Sequence, residues 1–192
     1  MTRTDTQDHT TEERANLAAV ADVLPYWNAH DIEGVLGFYQ PDITWNNIAM
    51  EATYRGRAEV GGFLGELFTA FPDLTFAVGE RLARGDRVAE KWTMRGTHRA
   101  EYLGVPATGR IVEINGMSMV RMRAGKFLVD DFYFDASGVL RQLGLLPSLK
   151  ATNGTVGRAV LKIAVAGRRL VGGLAAALPG RATTKRSGDG AS

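Results

Sequence analysis

Two strand-like stretches carry carboxylates among apolar neighbours. In Arg87–Thr97, Val88, Glu90, Trp92 and Met94 alternate with Ala89, Lys91, Thr93 and Arg95, so an inward apolar face takes Glu90 with it. A buried carboxylate either pairs with an arginine, which makes it structural, or keeps its proton, which makes it an acid or base near neutral pH. In Phe127–Phe134, Leu128, Asp130, Phe132 and Phe134 share one face and Phe127, Val129, Asp131 and Tyr133 the other. Whichever face turns inward brings one aspartate against phenylalanine rings. At the mouth of a cavity the same aspartate is solvated or paired with an arginine. His98 can accept or relay a proton, or it can hold the following loop through a backbone hydrogen bond. Asn47 shares a strand face with Ile43 and Trp45, where its amide donates to a carbonyl or enolate oxygen or to a neighbouring loop backbone. Trp27, Trp45, Trp92, Met94, Phe132 and Phe134 suit a flat polycyclic ligand, with Gly116 and Ser118 leaving room for it; the competing reading is plain core.

Other chemistries are excluded or disfavoured. The 192 residues contain no cysteine, which removes disulfides, thiolate metal sites and a thiol nucleophile. The three histidines, His9, His30 and His98, lie far apart without ligand spacing, so no metal site is expected. Gly104 to Gly109 lacks the glycine spacing, lysine and following helix of a phosphate loop. The net charge of +2 divides unevenly: from Lys150 onward eight basic residues face Asp189 alone, a net +7, which leaves fifteen basic and twenty acidic residues, a net −5, over 1–149. An acidic body lacks the surface that nucleic acid requires.

The elements that must position these residues follow from periodicity. Leu17, Val20, Ala21, Leu24 and Trp27 predict an amphipathic helix over Glu13–Ala29, bent or restarted at Pro25. Asp31 caps a second short helix running to Tyr39 and closed by Pro41. A strand over Ile43–Asn47 and a helix over Ala58–Phe71 come next, then strands over Thr75–Leu82, Arg87–Thr97, Arg110–Met122 and Phe127–Phe134. Helices first and long antiparallel strands after predict an α+β domain, a curved, cone-shaped sheet wrapped over N-terminal helices around an apolar pocket. Residues 1–12 read as a disordered, cytoplasmic-type N-terminus and 13–146 as the cone domain. Residues 147–192 read as a basic amphipathic helix with a disordered end. That tail is too often interrupted by charge to span a membrane; it is expected to dock on the protein, as a lid or a dimer contact, or to touch an anionic membrane surface weakly.

The motifs Gly96-Thr97-His98, Gly104-Val105-Pro106-Ala107-Thr108-Gly109-Arg110, Gly125-Lys126 and Gln142-Leu143-Gly144, in this order and spacing, resemble the SnoaL-like polyketide cyclases of the nuclear transport factor 2-like superfamily. Tyr26-Trp27, His30-Asp31 and Phe71-Pro72-Asp73-Leu74 agree with the same pattern, and the likeness covers roughly 14–146. The resemblance implies an α+β cone, commonly a homodimer, working without metal or organic cofactor on a polyketide-like small molecule. It also marks the Phe132 face as pocket-lining, which places Asp130 inward, with Asp131 the alternative if the register differs by one. The family's acid–base aspartate stands three residues before Asp135, and here that position is Phe132. Two polar pocket positions fall on Gly116 and Ser118. Compared with ketosteroid isomerase, the base falls on Asn47 and the oxyanion tyrosine on Val23.

The expected function is a cofactor-free cyclase, dehydratase or isomerase of secondary metabolism, using Asp130, Glu90, His98 and Asn47 around an aromatic pocket. A non-catalytic binding or assembly module of the same fold is the alternative, because the family's aspartate is absent. An epoxide hydrolase of the limonene type comes last, for want of a secure Asp-Arg-Asp counterpart.

Overall fold

Thr10 and Glu13 form a reciprocal cap: the Thr10 side chain accepts the Glu13 N–H, and the Glu13 carboxylate accepts the Thr10 N–H. Helix α1 (Thr11–Asp22) therefore starts two residues before the point that the apolar spacing predicts. The computed structural model describes residues 9–147. The amphipathic tail predicted from 147 onward lies, apart from Pro147, outside the described residues. Pro25 sits in the first turn of α2 (Leu24–Asn28), so the chain restarts there rather than bending through. The Asp31 carboxylate accepts the Gly34 N–H and caps α3 (Ile32–Gly37).

A larger difference from expectation follows. Helix α3 stops at Gly37, and Tyr39 and Pro41 belong to strand β1 (Tyr39–Asn47). Pairing of β1 is irregular between Tyr39 and Thr44, so Pro41 sits where the ladder asks for no N–H. After a single 3-10 turn come β2 (Ala52–Arg55), which has no counterpart in the sequence reading, and α4 (Gly56–Ala70). The remaining elements are β3 (Thr75–Arg84), β4 (Arg87–Thr97), β5 (Ile111–Arg123), β6 (Lys126–Phe134) and α5 (Ala136–Gln142). The β3–β4 turn is fastened to α1, because Glu13 accepts the Gly85 N–H at 2.8 Å and Asn16 donates to the Gly85 carbonyl at 3.1 Å.

The strands form one curved, unclosed sheet in the order β2-β1-β6-β5-β4-β3. Neighbours are antiparallel except β1 and β6, which join the two ends of the domain in parallel. Helix α4 lies against β1, and α1 and α2 lie against β3. Between them is the core: Val20, Val60 and Leu64 from the helices meet Ile43, Trp45, Val88, Trp92 and Val120 from the sheet, all fully buried. Each such side chain contributes about 1.5–3 kcal/mol by leaving water.

Register lays the site across the concave face. Trp45 is opposite Asp130, and Asp130 is opposite Val120. One step along, Asn47, Phe132, Ser118, Glu90 and Arg81 form a continuous row from β1 through β6, β5 and β4 to β3. Arg81 reaches that row through a bulge. Val78 pairs with Trp92 and Arg81 with Glu90, so β3 advances three residues where β4 advances two, and an arginine turns inward.

Candidate active site

The single pocket expected from the sequence is two cavities, and Trp45 and Phe132 line both. The larger, about 200 Å³, is walled by Phe63, Leu67, Met94, Ile114 and Phe134, by the 98–110 loop and by α5. Besides the Trp45 indole, its polar side chains are Asn47 and Tyr102. Asn47 is buried, and its Oδ1 has no hydrogen-bond partner among the described residues. A bound molecule therefore meets an apolar surface with an amide ready to orient it.

The smaller cavity, about 20 Å³, has room for one water molecule. Its wall carries Asp130, Glu90, Ser118, Tyr39 and Trp27. Asp130 is 5% exposed and Glu90 7%. Arg81 Nε lies 3.3 Å from Glu90 Oε2, a partly buried ion pair. Asp130 has no cationic partner among the described residues: its Oδ1 and the Trp45 Nε1 are both buried without a hydrogen bond.

These surroundings decide the protonation. Burial pushes the Asp130 carboxyl well above the usual carboxylate range, and the negative charge of Glu90 pushes it further, against a smaller opposing effect of the Ser118 hydroxyl and Trp45 indole. Glu90 is raised by burial too, but Arg81 opposes the rise. Both carboxyls are therefore displaced toward the protonated form, and of the two it is Glu90 that has a cation, Arg81, to hold its charge.

The remaining residues predicted for the site fall in different places. Met94 and Phe134 line the larger cavity, and Trp27 and Ser118 line the smaller. Trp92 borders neither: it stacks between Phe132 at 4.1 Å and Phe76 at 5.6 Å and donates to Ser118 Oγ at 3.1 Å. The space expected above Gly116 is filled by that indole, which a Cβ on Gly116 would strike. His98 lines neither cavity. It is fully buried, stacked on Phe71 at 5.2 Å, and its Nδ1 accepts the Thr108 N–H at 3.3 Å. An accepting Nδ1 puts the ring hydrogen of the neutral imidazole on Nε2. Asp131, on the opposite face from Asp130, accepts from Asn46 at 2.7 Å.

Sequence reasoning missed Arg81 and Tyr39. The Tyr39 phenol is fully buried in the smaller chamber, and its pKa is raised first by burial and then by Asp130 and Glu90. Its signal was present: Tyr39, Ile43, Trp45 and Asn47 share one parity and are all buried, which carries the strand back past Pro41. Among the described residues no group of three or more His, Cys, Asp or Glu could hold a metal ion, and no helix is long and apolar enough to cross a membrane.

Residues 18–143 match the sequence profile of the SnoaL-like polyketide cyclases. The chain belongs to that family. Solved structures agree with the assignment. AclR from Streptomyces galilaeus, assigned as a hydroxylase, is 27% identical with a TM-score of 0.63, over 70% of this chain and 99% of its own. IdmH from Streptomyces antibioticus, assigned as a polyketide cyclase, is 28% identical with a TM-score of 0.59, over 67% of this chain and 98% of its own. A SnoaL-like protein from Jannaschia sp. CCS1, at 20% identity and a TM-score of 0.67 over 73% and 99%, shares the fold. A search of the curated proteins finds no match.

Proposed function

We propose that this chain is an acid–base enzyme acting on a flat, ketone-bearing, polyketide-like molecule, moving a proton beside a carbonyl in a cyclisation, isomerisation or loss of water. One observation carries the reading: a buried carboxyl, Asp130, without a cationic partner among the described residues occupies a chamber sharing Phe132 and Trp45 with an apolar cavity. The substrate ring system fills the larger cavity, and the Asn47 Nδ2 hydrogens donate to its carbonyl oxygen. As the Phe132 ring turns aside, the Asp130 carboxyl donates its proton to that oxygen. The α-hydrogen then returns to the Asp130 carboxylate, so the enzyme ends with the proton it began with. Glu90, held by Arg81, keeps a negative charge beside Asp130 and so keeps it protonated between turnovers. Exclusion of water and restraint of the substrate supply most of the rate, and proton transfer adds about 10²–10⁴-fold.

Exchange of the α-hydrogens of 1-tetralone, a flat fused-ring ketone, in deuterium oxide, followed by NMR, tests this. Catalysed exchange that Asp130→Asn abolishes supports it; exchange unaffected by Asp130→Asn overturns the assignment. One observation favours a second reading, a ligand-binding module: Phe132 and Trp45 stand between the cavity and the carboxylates. 1-Tetralone binding without any catalysed exchange selects that reading.

A further inference from the structure

The loop from His98 to Arg110 is closed at its base and has a distinct turn at its tip. The Gly109 N–H donates to the His98 carbonyl at 2.9 Å, and the His98 N–H donates to the Arg110 carbonyl at 2.9 Å. At the tip, Tyr102 and Val105 exchange both backbone hydrogen bonds at 3.0 Å, leaving Leu103 and Gly104 as a two-residue turn. Both have positive φ, 52° and 77°, which is the mirror-image type I′ turn. Gly104 adopts that conformation freely. Leu103 does not: the first position of such a turn favours asparagine, aspartate or glycine, and a γ-branched apolar residue there is strained.

The same leucine is misplaced by hydrophobicity as well. It is 52% exposed at a loop tip, yet its side chain forms part of the wall of the larger cavity, near Tyr102 and Val105. Strain persists where the surroundings or a function demand it, and little of the core surrounds Leu103. The part of Leu103 still exposed is apolar surface left for something else to cover.

We infer that Leu103 is a ligand-contact residue: the turn holds its side chain at the mouth of the larger cavity so that it closes over an apolar, ring-containing molecule bound there. The inference rests on the proposed function only in taking the larger cavity as the binding site. Substituting asparagine relieves the backbone and removes the contact, so stability and affinity should move in opposite directions. An ordinary packing residue would lose both together.

The test uses the full chain and Nile red, a neutral polycyclic dye whose fluorescence reports its entry into apolar sites. Ala136→Trp, which places an indole in the larger cavity, defines the cavity-bound signal. Leu103→Asn is expected to raise the thermal midpoint by about 2–4 °C and to weaken cavity-bound Nile red about five-fold. Leu103→Gly should weaken binding similarly. Unchanged affinity in Leu103→Asn, or weaker affinity with a lower midpoint, overturns the inference. Nile red binding that a folded Ala136→Trp leaves intact would instead refute the larger cavity as the site, a separate failure that the leucine variants do not produce.

Discussion

Burial raises the folded-state pKa of Asp130 above its unfolded value, so between the two values the folded protein holds a proton that the unfolded chain has lost. Its contribution to stability is complete below the ordinary carboxylate range, about pH 4, and is lost as pH rises through the raised value. Urea denaturation across a pH series should show this decline, and Asp130→Asn should flatten it. A general acid works only while protonated, so activity should fall in the same direction, and Asp130→Asn should lower turnover by about 10²-fold with the fold retained. Glu90→Gln removes the nearby charge that lifts Asp130. The activity profile should therefore shift to lower pH, as a pH–rate measurement checks; an unmoved profile would show that the two groups are uncoupled. Glu90 was legible because alternation in β4 is unbroken around it, and Asp130 because it alternates with Phe132. Two residues before Asp130 the β6 pairing slips, which turns Phe127, expected on the opposite face, into the same chamber. Arg81 was not, because strict alternation along β3 points Glu80 inward, and only the bulge after Val78 reverses this.

At the scale of elements, one ring nitrogen, His98 Nδ1, holds the 98–110 loop at Thr108, beside the backbone pairs that close its base. In His98→Asn the amide oxygen stands where Nδ1 accepts from Thr108, so the loop should hold and activity should stay within a few-fold of the parent. His98→Ala removes the acceptor and opens a void; it should cost about 3 kcal/mol, read from urea denaturation. Loss of activity in a folded His98→Asn would make the imidazole a proton carrier instead. Gly116→Ala should cost about 1–3 kcal/mol by forcing Trp92 off its seat between Phe76 and Phe132. Four long strands and their turn glycines could be read directly, because half-buried strands alternate. The start of β1 was harder to see: Pro41 looks like helix punctuation and masks the parity that Tyr39 shares with Ile43, and the parallel partner that makes Tyr39 a strand residue lies in β6, far along the chain.

For the whole molecule, every residue of the described apolar core lies between Val20 and Leu143. A chain ending at Pro147 should therefore fold with a thermal midpoint close to that of the full chain; a collapsed midpoint would show that residues beyond 147 supply core packing. The parallel seam has a consequence for biosynthesis. Strand β1 leaves the ribosome early, but its partner β6 follows roughly eighty residues later. Until β6 arrives, Trp45 has no Asp130 opposite it, and the apolar edge of β1 stays open to other chains. Closing that seam is a long-range step, slow compared with forming the β3–β4 and β5–β6 hairpins. The carboxylate chamber is thus completed by the last of the described strands to be made. A nascent chain stalled before Lys126 presents an unpaired sheet edge and no acid, a form suited to chaperone capture rather than to chemistry.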